Sequence, residues 1–178
     1  VAGTVGAPEQ GYAFTGQVQA AIADLAPFAA LAGQTVNGGL RVNANGRLRP
    51  DLTQIDVVID GETQDLNTGI AALDPLLAGT GTVDAQIIRA APGSLTVRDL
   101  RLVTPLASIT GGVNLVDGVG QGDLDLRIAD IAPIAPGFSG PASLTGTGAR
   151  DAAGGISFDV TGTGAGATAS AVGTITSQ

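Results

Sequence analysis

Polar and apolar residues alternate along most of the chain. Across Leu40–Leu48 every even position is apolar or Gly and every odd one is polar. Ile55-Asp56-Val57-Val58-Ile59-Asp60 continues the pattern with one doubled apolar position. Gly122–Ile128 is the cleanest stretch, and Leu144–Thr147 and Ile156–Thr161 follow it. A period of two marks half-buried strands with one apolar and one wet face. Within Leu95–Leu102 the phase slips by one at Arg98–Asp99. A β-bulge there keeps Leu95, Val97, Leu100 and Leu102 on one face.

Asn37-Gly38-Gly39, Asn45-Gly46, Asp60-Gly61, Pro92-Gly93, Asp117-Gly118 and Ala153-Gly154-Gly155 carry turn chemistry, several at hairpin spacing. The expected topology is a meander of mostly antiparallel strands. Two segments break the pattern as short helices. In Asp74–Gly79, Asp74 is placed to cap, Pro75 to start and Gly79 to stop the helix. Leu25–Gly33 is a longer version with the same ending.

The octapeptide IADLAPFA (22–29) recurs as IADIAPIA (128–135), identical at six of eight positions with a spacing of 106. The strands preceding the two copies also align. The repeat therefore spans 16–48 and 122–150, a unit of strand, connector and strands that implies an elongated array. No composition break marks a second domain, so 1–178 reads as one segment of a longer repetitive protein. The start at Val1, without a signal or anchor, fits an excised interior piece.

Composition narrows the chemistry. The 178 residues include no His, Cys, Met or Trp, and all eight basic residues are Arg. That excludes a Ser-His-Asp triad, thiol chemistry, imidazole metal ligation and a phosphate-loop lysine. The net charge of −8 disfavours nucleic acid and anionic membrane surfaces as partners. Carboxylates are the remaining acid–base groups. Asp123 and Asp125 share a strand face opposite Leu124, Leu126 and Ile128, which makes them solvent-facing. Asp56 and Asp60 flank an apolar run in the same way. Asp51, Asp99 and Asp117 sit where Asp serves turns or a bulge. Gly118–Asp123 resembles a calcium β-roll repeat only loosely and does not recur in tandem, so no metal or other cofactor is expected. Gly162–Gly166 reads as a glycine-rich strand or turn.

The informative feature is the apolar face. Alternation points Val42, Leu48, Ile55, Val57, Ile59, Leu95, Val97, Leu100, Leu102, Ile109, Val113, Leu115, Leu124, Leu126, Ile128, Leu144, Ile156, Phe158 and Val160 one way, together with Val83 and Ile87. Two architectures satisfy that pattern. One is a sandwich in which two such faces pack together. The other is a curved sheet whose apolar side stays open as a groove. Only 3% of residues are aromatic, too few to fill a thick core, which favours the groove. An aliphatic groove with few hydrogen-bonding groups suits lipid tails.

The strings at 22–48, 73–89, 95–115 and 128–150 resemble an interior segment of the TamB family, inner-membrane subunits of the translocation and assembly module within the AsmA-like superfamily. The Ala, Gly and Arg bias is similar to that of alphaproteobacterial members. The resemblance spans roughly residues 16–175 and implies an all-β fold, an elongated β-taco: a twisted half-pipe of strands with an aliphatic inner groove. It further implies a periplasmic, non-enzymatic segment of a conduit carrying phospholipid acyl chains from the inner to the outer membrane. The implied parent is anchored in the inner membrane and pairs with an Omp85-type protein, TamA, through regions outside these residues. Three alternatives stand beside it. They are a surface β-helix adhesin or autotransporter passenger, a chaperone-like scaffold for outer-membrane protein assembly, and a carboxylate hydrolase. The adhesin requires short tandem coils and the hydrolase two neighbouring inward carboxylates.

Overall fold

The structure, a computed structural model, describes residues 2–5, 13–29 and 35–176. They form one sheet of eleven strands in which spatial order equals sequence order. The strands are β1 (Ala2–Val5), β2 (Phe14–Ile22), β3 (Asn37–Leu48), β4 (Ile55–Asn67), β5 (Thr80–Arg89) and β6 (Ser94–Val103). The meander continues through β7 (Ala107–Val116), β8 (Val119–Ile128), β9 (Ala142–Arg150), β10 (Ile156–Gly164) and β11 (Ala167–Ile175). Every pairing is antiparallel. The expected open, all-β architecture is thus what the chain adopts. Among the described residues no second sheet lies against the first, so the sandwich does not form.

The bulge sits where the phase slip placed it. The β6–β7 register shifts between Val97 and Leu100, and Asp99 adopts a φ of +53°. Aspartate tolerates this left-handed conformation better than most residues. Past the bulge, Leu100 and Leu102 pair with Gly111 and Ile109, on the same face as Leu95 and Val97. Asp117 and Gly118 both have positive φ (51° and 78°), as a two-residue primed turn between β7 and β8 requires.

Three turn expectations are corrected. Asn45-Gly46 lies inside β3 and Asp60-Gly61 inside β4, both in unbroken register. Gly61 is there for close approach rather than reversal: a Cβ would lie 2.5 Å from the Arg41 carbonyl oxygen. Asn37-Gly38-Gly39 opens β3 at a register irregularity, with Gly38 at φ +105°.

The predicted helix at 74–79 is a single turn, α1 (Asp74–Leu77). Its capping is corrected as well. Leu73 occupies the cap position, and the Asp74 carboxylate instead accepts hydrogen bonds from the Thr68 amide and hydroxyl, at 2.7 and 3.1 Å. Asp74 therefore pins the strand exit to the helix. Of the predicted helix at 25–33, Ala26–Phe28 form one 3-10 turn, and 30–34 lie outside the described residues.

A meander places alternate connections at opposite ends of the sheet. The connections after β2, β4, β6, β8 and β10 share one end, and three of these five are long. The described connections at the other end are short hairpin loops of two to six residues. The buried core forms at the long-connector end. There Leu76, Ala107 and Ile128 pack with Leu106, Leu126, Ile131, Ile134 and Ala142. Thr104 is buried among them; its hydroxyl donates to the Leu76 carbonyl and accepts from the Ala107 amide.

The two copies of the octapeptide form the same turn. Asp24 Oδ1 accepts from the Ala26 amide at 2.9 Å, and Asp130 Oδ1 from the Ala132 amide at 3.1 Å. The Leu25 amide donates to the Gly38 carbonyl, and its counterpart Ile131 to the Gly140 carbonyl. Each copy thereby ties the end of one strand to the start of the next.

In the second copy Asp130 also accepts from the Gly140 amide at 2.9 Å. The amide donors of Ala132 and Gly140, in that order of effect, hold its carboxyl below the usual carboxylate range. A depressed native pKa contributes stability above the unfolded value of ~3.9 and loses it as pH falls through the native one. Protection of the Gly140 amide in hydrogen exchange should accordingly drop on acidification below ~3.9. Asp130→Asn should flatten that dependence.

Candidate functional site: an apolar face without a second layer

Register carries the sequence alternation across the whole sheet. One cross-strand row reads Val42, Gly61, Val83, Leu102, Ile109, Leu126 and Leu144. A second reads Gly46, Val57, Ile87, Val97, Val113, Gly122, Gly148 and Phe158. The remaining predicted face residues, Leu48, Ile55, Ile59, Leu95, Leu100, Leu115, Leu124, Ile128, Ile156 and Val160, fall in parallel rows on the same side. The structure thus brings the predicted set onto one face.

That face is not buried. Of the predicted set only Ile128 is, at the core described above. Leu124 and Ile156 remain 41% and 42% exposed. Among the described residues no second sheet is stacked above these side chains. The face is thickest over β3–β8. Over β9–β11 Gly146, Gly148, Gly162, Ala169, Ala171 and Gly173 alternate with Leu144, Ile156, Phe158, Val160 and Ile175, so the face is thinner there. The Phe158 ring lies against Gly173.

The opposite face is polar and knitted by side-chain hydrogen bonds. Asn43 donates to Asp60 and Gln86 to Asp56, both at 2.9 Å, and Arg41 pairs with Glu62 at 3.1 Å. Such exposed pairs add little stability. Asp125 pairs with Arg127 at 3.0 Å. Asp51 satisfies the Thr53 hydroxyl and amide, and these donors lower its pKa.

Alternation did not foretell where the molecule is hollow. A hollow of about 1170 Å³ spans β6 to β11, bordered by Val97, Leu100, Val113 and Phe158 of the aliphatic face and by Thr96, Arg98, Asn114, Asp123, Thr147 and Asp159 of the polar one. The period of two assigns faces; it carries no information on which way a sheet rolls. Asp123 and Asp159 share a row two strands apart, ~10 Å at the backbone.

Among the described residues no group of three or more acidic side chains could hold a metal ion, and no helix is long and apolar enough to cross a membrane. No protein-family model matches the chain, and neither a curated protein nor a solved structure does.

Two truncations separate the packed end from the open face. Ile128→Ala removes a buried side chain and should cost ~2–4 kcal/mol in urea unfolding. Leu124→Ala, on the same strand and face but opposite Gly111 and Gly146, should cost less than ~1 kcal/mol.

Proposed function

We propose that this chain is one stretch of a lipid conduit, whose aliphatic face shelters acyl chains while its polar face stays in water. One observation carries the reading: an apolar surface crossing the strands of a single sheet, with no second sheet over it among the described residues. Exposed apolar surface of this extent marks an interaction site. The resemblance to the TamB family of AsmA-like proteins supports the same reading. On it, the segment works in the periplasm of a Gram-negative bacterium, within a parent that partners an Omp85-type protein.

The energetics suit transport. Burying acyl chains gains ~0.8 kcal/mol per CH₂, so a two-chain lipid gains on the order of 20 kcal/mol on leaving water. A bilayer offers the tails the same gain. Passage between bilayer and sheet is then nearly isoenergetic, and the barrier to water is avoided at each step. Aliphatic side chains with few hydrogen-bonding groups impose little selectivity on the tails. The β-helix passenger is less well supported, because it needs parallel coils and every described pairing is antiparallel.

Photo-crosslinking tests the reading. Crosslinkers replacing Leu124 and Leu126 should capture phosphatidylethanolamine from vesicles several-fold more than crosslinkers replacing Asp123 and Asp125 on the other face. Leu124→Arg should suppress capture at Leu126 while leaving the β circular dichroism signal intact. Equal labelling of both faces would overturn the conduit.

A further inference from the structure

The apolar face has different ends. At the long-connector end Leu76, Leu106, Ile131 and Ile134 close over Ala107 and Ile128. At the hairpin end no such plug forms among the described residues, and the last row changes character. Arg89 stands there opposite Ile55, and Arg150 stands between Gly120 and Ile156. Both arginines therefore belong to the aliphatic face.

Their placement runs against the charge balance of the chain. The sequence has sixteen acidic and eight basic residues. In the regularly paired strands no acid falls on the apolar face; Asp56, Asp60, Glu62, Asp84, Asp123 and Asp159 all take the other side. The two charges this face does carry are both cationic and both in its terminal row. The ion pairs among the described residues are Arg41–Glu62 and Arg127–Asp125, so neither Arg89 nor Arg150 is neutralised. Arg89 spends its Nε on the Ser94 carbonyl and one terminal nitrogen on the Leu52 carbonyl, both at 3.3 Å. Those bonds orient the guanidinium and leave donors on its other terminal nitrogen.

The geometry points to an occupant with matching polarity: an acyl lipid with an anionic phosphate headgroup, its tail toward the Leu76 plug and its phosphate at the arginine row. This rests on the apolar face taking acyl chains, as proposed above. The eight steps from Ala107 to Leu115 span ~27 Å along the strand. One leaflet of a bilayer's hydrocarbon core is ~15 Å thick, so a tail fits between plug and arginines. Guanidinium groups bind phosphate through paired N–H donors. Arg89 on β5 and Arg150 on β9 lie four strand spacings apart, ~19 Å if flat, so each serves its own headgroup.

The test uses two probes with the same acyl chain, lysophosphatidic acid and monoacylglycerol, both below their micelle-forming concentrations. The full 178-residue chain is titrated with each by calorimetry. Lysophosphatidic acid should bind about tenfold more tightly, with the advantage shrinking as salt rises. Arg150→Gln should reduce that preference, and R89Q/R150Q should abolish it, while monoacylglycerol affinity is unchanged. Arg150→Lys should restore part of it, and Arg47→Gln, at the same end but on the polar face, should leave it intact. A photoreactive group at the tail terminus should label β8 near Leu126 rather than β7 near Leu115. Equal affinity for the two probes overturns the headgroup assignment and leaves the conduit standing. Binding of neither probe overturns both. Should Arg89→Gln unfold the chain, the Arg150 series alone decides the outcome.

Discussion

A single layer of sheet cannot bury both of its faces, and this constraint governs the molecule. Each strand here has one aliphatic side, and antiparallel register holds all those sides together. A domain normally closes over such a surface with a helix layer or another sheet. Among the described residues the only closure is the small core of Leu76, Ala107 and Ile128 at the long-connector end. Elsewhere, order comes from the backbone ladder and from cross-strand contacts within one face. The apolar surface is therefore both what the strands share and what the fold leaves incomplete.

Features governed by near neighbours were readable from the chain itself. The two-residue period placed the predicted aliphatic set on one face, including Leu100 and Leu102 beyond the Arg98–Asp99 slip, because face depends only on counting along one strand. The Asp117-Gly118 reversal was readable for the same reason: two positive φ angles are a local demand. Asn45-Gly46 and Asp60-Gly61 were not. The same dipeptides serve turns and close strand contacts, and only the partner across the ladder decides between them. Asp74 misled similarly, since its preferred donors belong to Thr68, six residues upstream. The hollow beside Thr96 and Asp123 was invisible for a deeper reason. Roll is a collective property of many strands, and no single residue encodes it.

The repeated octapeptide shows how sequence likeness becomes structural likeness. Asp24 and Asp130 each cap their own turn, and Leu25 and Ile131 each bond to a glycine carbonyl near the next strand. The substitutions between copies, Leu to Ile and Phe to Ile, change side-chain shape and leave these two bonds in place. The connector between Ile131 and Gly140 is shorter than that between Leu25 and Gly38, yet the same bond closes both. The turn, rather than the connector length, sets how one strand hands over to the next.

Strictly sequential pairing has a kinetic consequence. Each strand needs only its predecessor as a template, so closing each ladder costs the entropy of one local loop. Assembly can then advance hairpin by hairpin, like a zipper, with no wait for distant segments to meet. Adding or removing a hairpin would leave the register of every other pair unchanged. Sheet width is thus a dimension that evolution can adjust in steps of ~10 Å per hairpin without redesigning what is already folded.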